Sequence, residues 1–118
     1  MTEEYLSPGP TREEVDHISG AAVLEFGTDW CGYCRAAKSI VQQAFAEHPG
    51  FLHVKVEDGP GRRLGRSFKI KLWPTLIFLK DGKELARAVR PRGVDELRSC
   101  MQVLLDESTS SILPLPPG

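Results

Sequence analysis

Three cysteines in 118 residues are too few to hold a small secreted domain together by disulfides. Long apolar runs are lacking too: Leu76 to Leu79 is strand-sized, far short of the roughly 18 to 20 residues that cross a bilayer, so no membrane association is expected. Neither sign of charge dominates. Fifteen basic and 16 acidic residues leave a formal charge of −1, which suggests no nucleic-acid partner. The segment Met1-Thr2-Glu3-Glu4-Tyr5 is acidic where a secretory signal is basic, and no apolar stretch follows it, so a cytoplasmic protein is expected. His17, His48 and His53 have no ligand spacing to the cysteines, and a zinc site would need two further ligands, so neither metal nor cofactor is expected.

What is present fits one domain, because 41% hydrophobic residues suffice for a single core at this length. Thr11 and Glu14 stand in capping-box spacing ahead of Val15 and Ile18, predicting a short helix from about Arg12 to Ile18, ended by Gly20. Ala21 to Phe26 is apolar except for Glu25, as in a strand buried on both faces. Ala37, Ile40, Val41, Ala44 and Phe45 mark one face of a helix stopped by Pro49-Gly50. Leu52, Val54 and Val56 alternate with polar residues in a second strand, and a short basic helical segment ends near Phe68. Thr75 to Leu79 and about Glu84 to Val89 form a hairpin joined by Asp81-Gly82. Val94, Leu97, Met101, Leu104 and Leu105 mark a closing helix. These elements divide the chain into an extension at 1–10, a domain at 11–107 and a disordered, Ser- and Pro-rich tail at 108–118, whose Leu-Pro-Leu-Pro-Pro would suit a polyproline ligand.

The order β-α-β-α-β-β-α, with an apolar strand running into a Cys-x-x-Cys pair at a helix start, resembles thioredoxin. The resemblance extends from about Val15 to Leu105. It rests on Trp30-Cys31-Gly32-Tyr33-Cys34, on Trp73-Pro74-Thr75 opening the third strand, and on Phe78-Leu79-Lys80-Asp81-Gly82. It implies an α/β thioredoxin-like fold with a mixed β-sheet flanked by helices, expected here as two layers. It also implies a thiol–disulfide oxidoreductase that reduces protein disulfides as a monomer, with an NADPH-dependent thioredoxin reductase as electron donor and no cofactor beyond the Cys31–Cys34 disulfide.

A thiolate attacks a disulfide where a thiol does not, so one cysteine needs stabilisation of its negative charge. Cys31, at the start of a helix, gains this from the unpaired N–H groups and the dipole of the first turn, while Cys34 lies deeper and resolves the mixed disulfide. By the resemblance, Glu25 occupies the position of a buried Asp that exchanges protons with the second cysteine. A carboxylate in an apolar strand suits a general base; an ion pair with Lys55 is the structural alternative. Pro74 resembles the family's cis-proline, the backbone of Trp73 would pair with an extended substrate, and Trp30 and Trp73 would flank the thiol.

Beyond Glu25, two more residues depart from the family pattern. Tyr33 replaces a proline and adds a backbone N–H facing the thiolate, which should raise the reduction potential some tens of millivolts above the roughly −270 mV of thioredoxin. Arg90 replaces a glycine beside the substrate groove and would obstruct large substrates or select acidic ones, with Arg35 adding charge nearby; Gly93 would do the glycine's work if the alignment slips. Gly32 and Tyr33 also resemble the dipeptide of bacterial disulfide isomerases. A binding or chaperone module with incidental cysteines, or an isomerase or oxidase, are the competing functions. The basic run Arg62, Arg63, Arg66, Lys69 and Lys71 is expected to be a solvated helix face, and Cys100 a buried small hydrophobe.

Overall fold

Two strands that are apolar on both faces dictate the arrangement. The computed structural model describes residues 5–112, with side chains through 106. Strand β1 (Ala21–Gly27) and strand β3 (Thr75–Lys80) are almost wholly buried. They are the two central strands of a four-stranded sheet of order β2-β1-β3-β4, in which β2 is Leu52–Glu57 and β4 is Lys83–Val89. β1 pairs with β2 in parallel and with β3 antiparallel, and β3 pairs antiparallel with β4, so the sheet is mixed as expected.

Side-chain alternation along the central strands sends one set of residues to each face. Ala22, Leu24, Phe26, Ile77 and Leu79 meet Val15 of helix α1 (Arg12–Asp16) and Leu64 of helix α3 (Arg63–Ser67). Val23, Leu76 and Phe78 meet helix α2 (Gly32–Ala46) and helix α4 (Val94–Ile112) on the opposite face. The domain therefore has three layers and not the two expected, because each apolar face needs its own cover. Glu25 shares a face with Val23, which points it toward α2.

Local signals act as the sequence suggests. Thr11 accepts the Glu14 N–H and Glu14 accepts the Thr11 N–H at 2.9 Å, closing the capping box. Helix α1 stops at Asp16, short of Ile18, as the chain turns at Gly20 (φ +79°) into β1. Asp81 (φ +51°) and Gly82 (φ +81°) supply the two positive φ angles of a tight hairpin turn. The turn docks on Gly20, whose carbonyl accepts the Asp81 N–H at 3.0 Å and whose N–H donates to Asp81 Oδ1 at 2.7 Å.

Two boundaries differ from expectation. Helix α4 continues to Ile112, into the segment read as tail. Ser and Thr disfavour a helix by only about 0.5 kcal/mol each, and the first proline after Gly93 is Pro114, so nothing stops the helix earlier. The Leu-Pro-Leu-Pro-Pro segment lies outside the described residues. At the other end, residues 5–10 pack on the domain. Leu6 bridges Val56 in parallel, its N–H donating to the Lys55 carbonyl and its carbonyl accepting the Glu57 N–H, both at 2.9 Å. Arg62 donates to Ser7 Oγ at 2.8 Å. One bridge is too short to leave a periodic trace in sequence, yet it carries Tyr5 under the start of α2.

Candidate active site

The thiols stand where β1 gives way to α2. Cys31 is the N-cap of α2, in extended conformation, and its Sγ accepts the Cys34 N–H at 3.3 Å. A cap side chain takes its bond from the second or third helical residue; here the third supplies it. The donor on the Cys31 sulfur is thus the Cys34 amide, and the Tyr33 amide expected to face the thiolate is not the one engaged. Both thiols are free and both are buried, with exposures of 7% for Cys31 and 4% for Cys34.

Cys34 is held in its neutral form. Burial, followed by the adjoining Cys31 sulfur, pushes its pKa up to about 12, against the opposing pull of the Thr28 backbone amide and the Tyr5 hydroxyl. Gly27 is what lets these groups meet: a Cβ built there would lie 2.5 Å from Cys34 Sγ and 2.8 Å from Tyr5 Oη. Tyr5, Cys31 and Cys34 form one buried cluster, with Trp73 packed against it.

Glu25 lies directly behind. It is 2% exposed, accepts the Tyr5 hydroxyl on Oε2 at 2.9 Å, and has His53 Nε2 within 2.8 Å of Oε1. Lys55 is its register neighbour on β2, and the Lys55 ammonium sits 4.4 Å from the Tyr5 ring centroid. The His53 ring stacks on Phe45 at 3.9 Å with 4° between planes. Burial, with Glu25 and then Cys34 alongside, raises the Tyr5 pKa far above that of a free phenol. Tyr5 and His53 were missed in sequence. The polar phase of β2, which carries His53 and Lys55 toward Glu25, was the available signal for His53; Tyr5 left none.

Around the thiols the surface is aromatic. Trp30 is 73% exposed and meets Trp73 edge to face, ring centroids 5.7 Å apart. Trp73 donates its indole N–H to Asp58 Oδ2 at 2.9 Å, and the Trp73–Pro74 bond is cis. A Cβ at Gly32 would meet nothing within 4 Å, so the space beside Gly32, between the two cysteines in sequence, is open. Arg90 adopts a φ of +49°, donates Nε–H to the Trp73 carbonyl at 2.9 Å, and lays its guanidinium 3.8 Å from the Tyr33 ring centroid. The position expected to need glycine does have left-handed backbone, and it holds an arginine; Gly93 has open space around it. A groove of about 730 Å³ runs from Tyr33 and Ile40 to Leu72, Val89, Arg90 and Arg92.

Of the other candidates, Arg62 and Cys100 lie away from this cluster and Arg35 borders it. Arg62 is bonded to Glu57 and Ser7, and Cys100 is half-buried with its thiol 3.8 Å from the Arg87 carbonyl. Arg35 is exposed and borders a small cavity with Tyr5, Cys34 and Lys38. Among the described residues no group of three His, Cys, Asp or Glu side chains is placed to hold a metal ion.

Comparison with known proteins agrees with this geometry. The family model for thioredoxin matches residues 6–103. A thioredoxin of Chlamydia trachomatis serovar D is 33% identical over 79 residues, which cover 67% of this chain and 78% of that protein. Thioredoxin-1 of Caenorhabditis elegans is 30% identical over 82 residues, 70% of each chain. The structure of reduced thioredoxin 2 from Pseudomonas aeruginosa PAO1 superposes with a TM-score of 0.81 at 50% identity, covering 91% of this chain and 99% of that one.

Proposed function

The chain belongs to the thioredoxin family and is a thiol–disulfide oxidoreductase, and we propose that Cys31 attacks, Cys34 resolves and Glu25 takes up the resolving proton. The observation that carries this division is the N-cap position of Cys31. Its sulfur receives the Cys34 N–H at the positive end of α2, whereas burial holds Cys34 as a thiol.

The Cys31 thiolate attacks one sulfur of a protein disulfide, forming a mixed disulfide and releasing the other substrate sulfur as a thiolate. Cys34 loses its proton to Glu25 and attacks Cys31 Sγ. The Cys31–Cys34 bond forms, the bond to substrate breaks, and the second substrate sulfur leaves with the electron pair. The protein dithiol is oxidised and the substrate disulfide is reduced to two thiols.

Trp30, Gly32, Tyr33, Trp73, Pro74 and Arg90 form the substrate surface in this proposal. The packing of Trp73 against the thiols, its edge-to-face contact with Trp30, the Arg90–Tyr33 contact and the exposure of Trp30 and Tyr33 support it. The unit that works is the domain from 11 through the end of α4, with the segment from Tyr5 as its strap. An NADPH-dependent thioredoxin reductase restores the dithiol, and the protein acts as a monomer in a reducing compartment such as the cytoplasm. No cofactor enters the exchange.

Reduction of insulin with dithiothreitol as electron source tests the roles. Wild type should be active, Cys31→Ser inactive, and Cys34→Ser should accumulate a mixed disulfide. Glu25→Gln should slow release of that intermediate at neutral pH and leave Cys31 alkylation unchanged. Wild type without reductase activity would leave a binding module as the function.

A further inference from the structure

Glu25 and Cys34 are the two ends of the proton transfer proposed above, and Tyr5 stands between them. Its hydroxyl donates to Glu25 Oε2 at 2.9 Å. The same oxygen reaches the space next to Gly27 that Cys34 Sγ also occupies, where an added Cβ would lie 2.8 Å from one and 2.5 Å from the other. The ring is fixed from several sides: Leu6, next in the chain, is paired to β2, Lys55 lies over the ring, and Cys31 and Cys34 pack against it. Resting on the Glu25 reading, we propose that Tyr5 is a catalytic residue that relays the proton from Cys34 to Glu25 during resolution.

The step balances without any added group. As Cys34 Sγ attacks Cys31 Sγ, its proton passes to Tyr5 Oη and the Tyr5 proton passes to Glu25 Oε2. Tyr5 ends neutral, Glu25 ends protonated, and the electron pair leaves on the substrate sulfur. Burial beside Glu25 disfavours a phenolate, so the two transfers proceed together and no tyrosinate accumulates.

The titratable groups around the relay come from three directions. Glu25 faces Tyr5 from β1, with His53 on its far oxygen; Cys31 and Cys34 face it from α2; Lys55 faces it from β2. A cavity of about 90 Å³ borders Tyr5, Cys34 and Lys55, with Asp29, Arg35 and Lys38 also lining it. Asp29, Arg35 and Lys38 are exposed, so the cavity beside Tyr5 and Cys34 opens toward solvent.

Resolution is read in a Cys100→Ser background by stopped flow, as release of thionitrobenzoate from a mixed disulfide formed on Cys31 with Ellman's reagent. Tyr5→Phe keeps the ring and removes only the hydroxyl. It should slow release about a hundredfold at pH 7, the lower end of what general acid–base catalysis contributes. Cys31 alkylation should be unchanged, and the deficit should close as the pH rises toward 12. Tyr5→Phe combined with Glu25→Gln should be no slower than the slower single variant, because both interrupt one path. Wild-type release rates in Tyr5→Phe alongside slow release in Glu25→Gln would overturn the relay and leave the Glu25 role standing. Wild-type rates in both would overturn the two together, and multiplicative effects in the double variant would overturn the relay. A measurement on the unaltered dithiol site adds an independent check. Two protons in flight require a bowed dependence of the release rate on D2O fraction, and a straight line would refute the relay.

Discussion

Arg90 lies over Tyr33 with its guanidinium 3.8 Å from the ring centroid, so two of the residues that depart from the family pattern touch each other. The arginine also ties the end of β4 to the loop before β3, through Nε–H to the Trp73 carbonyl and its own backbone N–H to the Pro74 carbonyl at 2.8 Å. Left-handed backbone costs a non-glycine residue about 1 to 2 kcal/mol. A cation–π contact at an exposed site returns about 0.5 to 1 kcal/mol, and the hydrogen bonds to the loop offset the remainder. Arg90 thus closes over one wall of the groove and holds it in place.

This contact should appear as substrate preference. Disulfide peptides with Asp or Glu beside the cysteine should be reduced faster than neutral ones, and Arg90→Ala should lower kcat/KM for the acidic peptide up to about fivefold, the yield of one exposed ion pair. Parallel assays on an acidic and a neutral peptide check it. Equal losses on both would mean that Arg90 shapes the groove and does not read charge.

Tyr33→Pro should change the reduction potential by less than the roughly 30 mV that 1.4 kcal/mol represents for a two-electron couple. The donor to Cys31 Sγ is the Cys34 N–H, and a proline at position 33 leaves it in place. Equilibration with glutathione measures this. A fall of several tens of millivolts would restore the Tyr33 amide as the tuning element.

The neutral state of Cys34 makes stability depend on alkaline pH. Its pKa rises from the ordinary thiol value of 9.0 to about 12 in the fold, so between those values the native state binds more protons than the unfolded chain. The resulting stability is fully present below the unfolded value and is lost as the pH rises through the folded one. Denaturant midpoints should therefore fall across this window in the reduced protein, and the fall should be smaller in Cys34→Ser.

Gly27→Ala should damage both packing and chemistry. Its methyl would lie 2.5 Å from Cys34 Sγ and 2.8 Å from Tyr5 Oη, so one of them must move. Overpacking of this kind costs about 1 to 3 kcal/mol. Thermal unfolding should show that loss, and insulin reduction should slow more than Cys31 alkylation does.

His53→Leu would leave Glu25 Oε1 without its His53 contact and remove a stacked ring from Phe45. An unsatisfied buried polar group costs about 1 to 3 kcal/mol, and denaturant unfolding at pH 7 measures it. His53→Gln, which retains a side-chain N–H donor, should recover part of the loss.

Most of the fold was legible because its signals are local. The capping box at Thr11 and Glu14, the 3.6-residue stripe of α2, the unbroken apolar runs of β1 and β3, and Asp81-Gly82 each act within a few residues. The Cys31–Cys34 pair was legible for the same reason, since one helical turn sets the separation of its members, and Glu25 stood out as the lone charge in an apolar strand, its place behind the pair being implied by the resemblance to thioredoxin. By itself, then, the sequence determined which segments become helix or strand, and that a dithiol stands at a helix start. Only the tertiary structure decided what those groups touch. Tyr5 meets Glu25 across 20 residues, His53 reaches it through parallel strand register, and Arg90 meets Tyr33 where β4 ends beside α2. Each is a contact between single residues on different elements, fixed by sheet order and register, and such contacts leave no period or spacing along the chain.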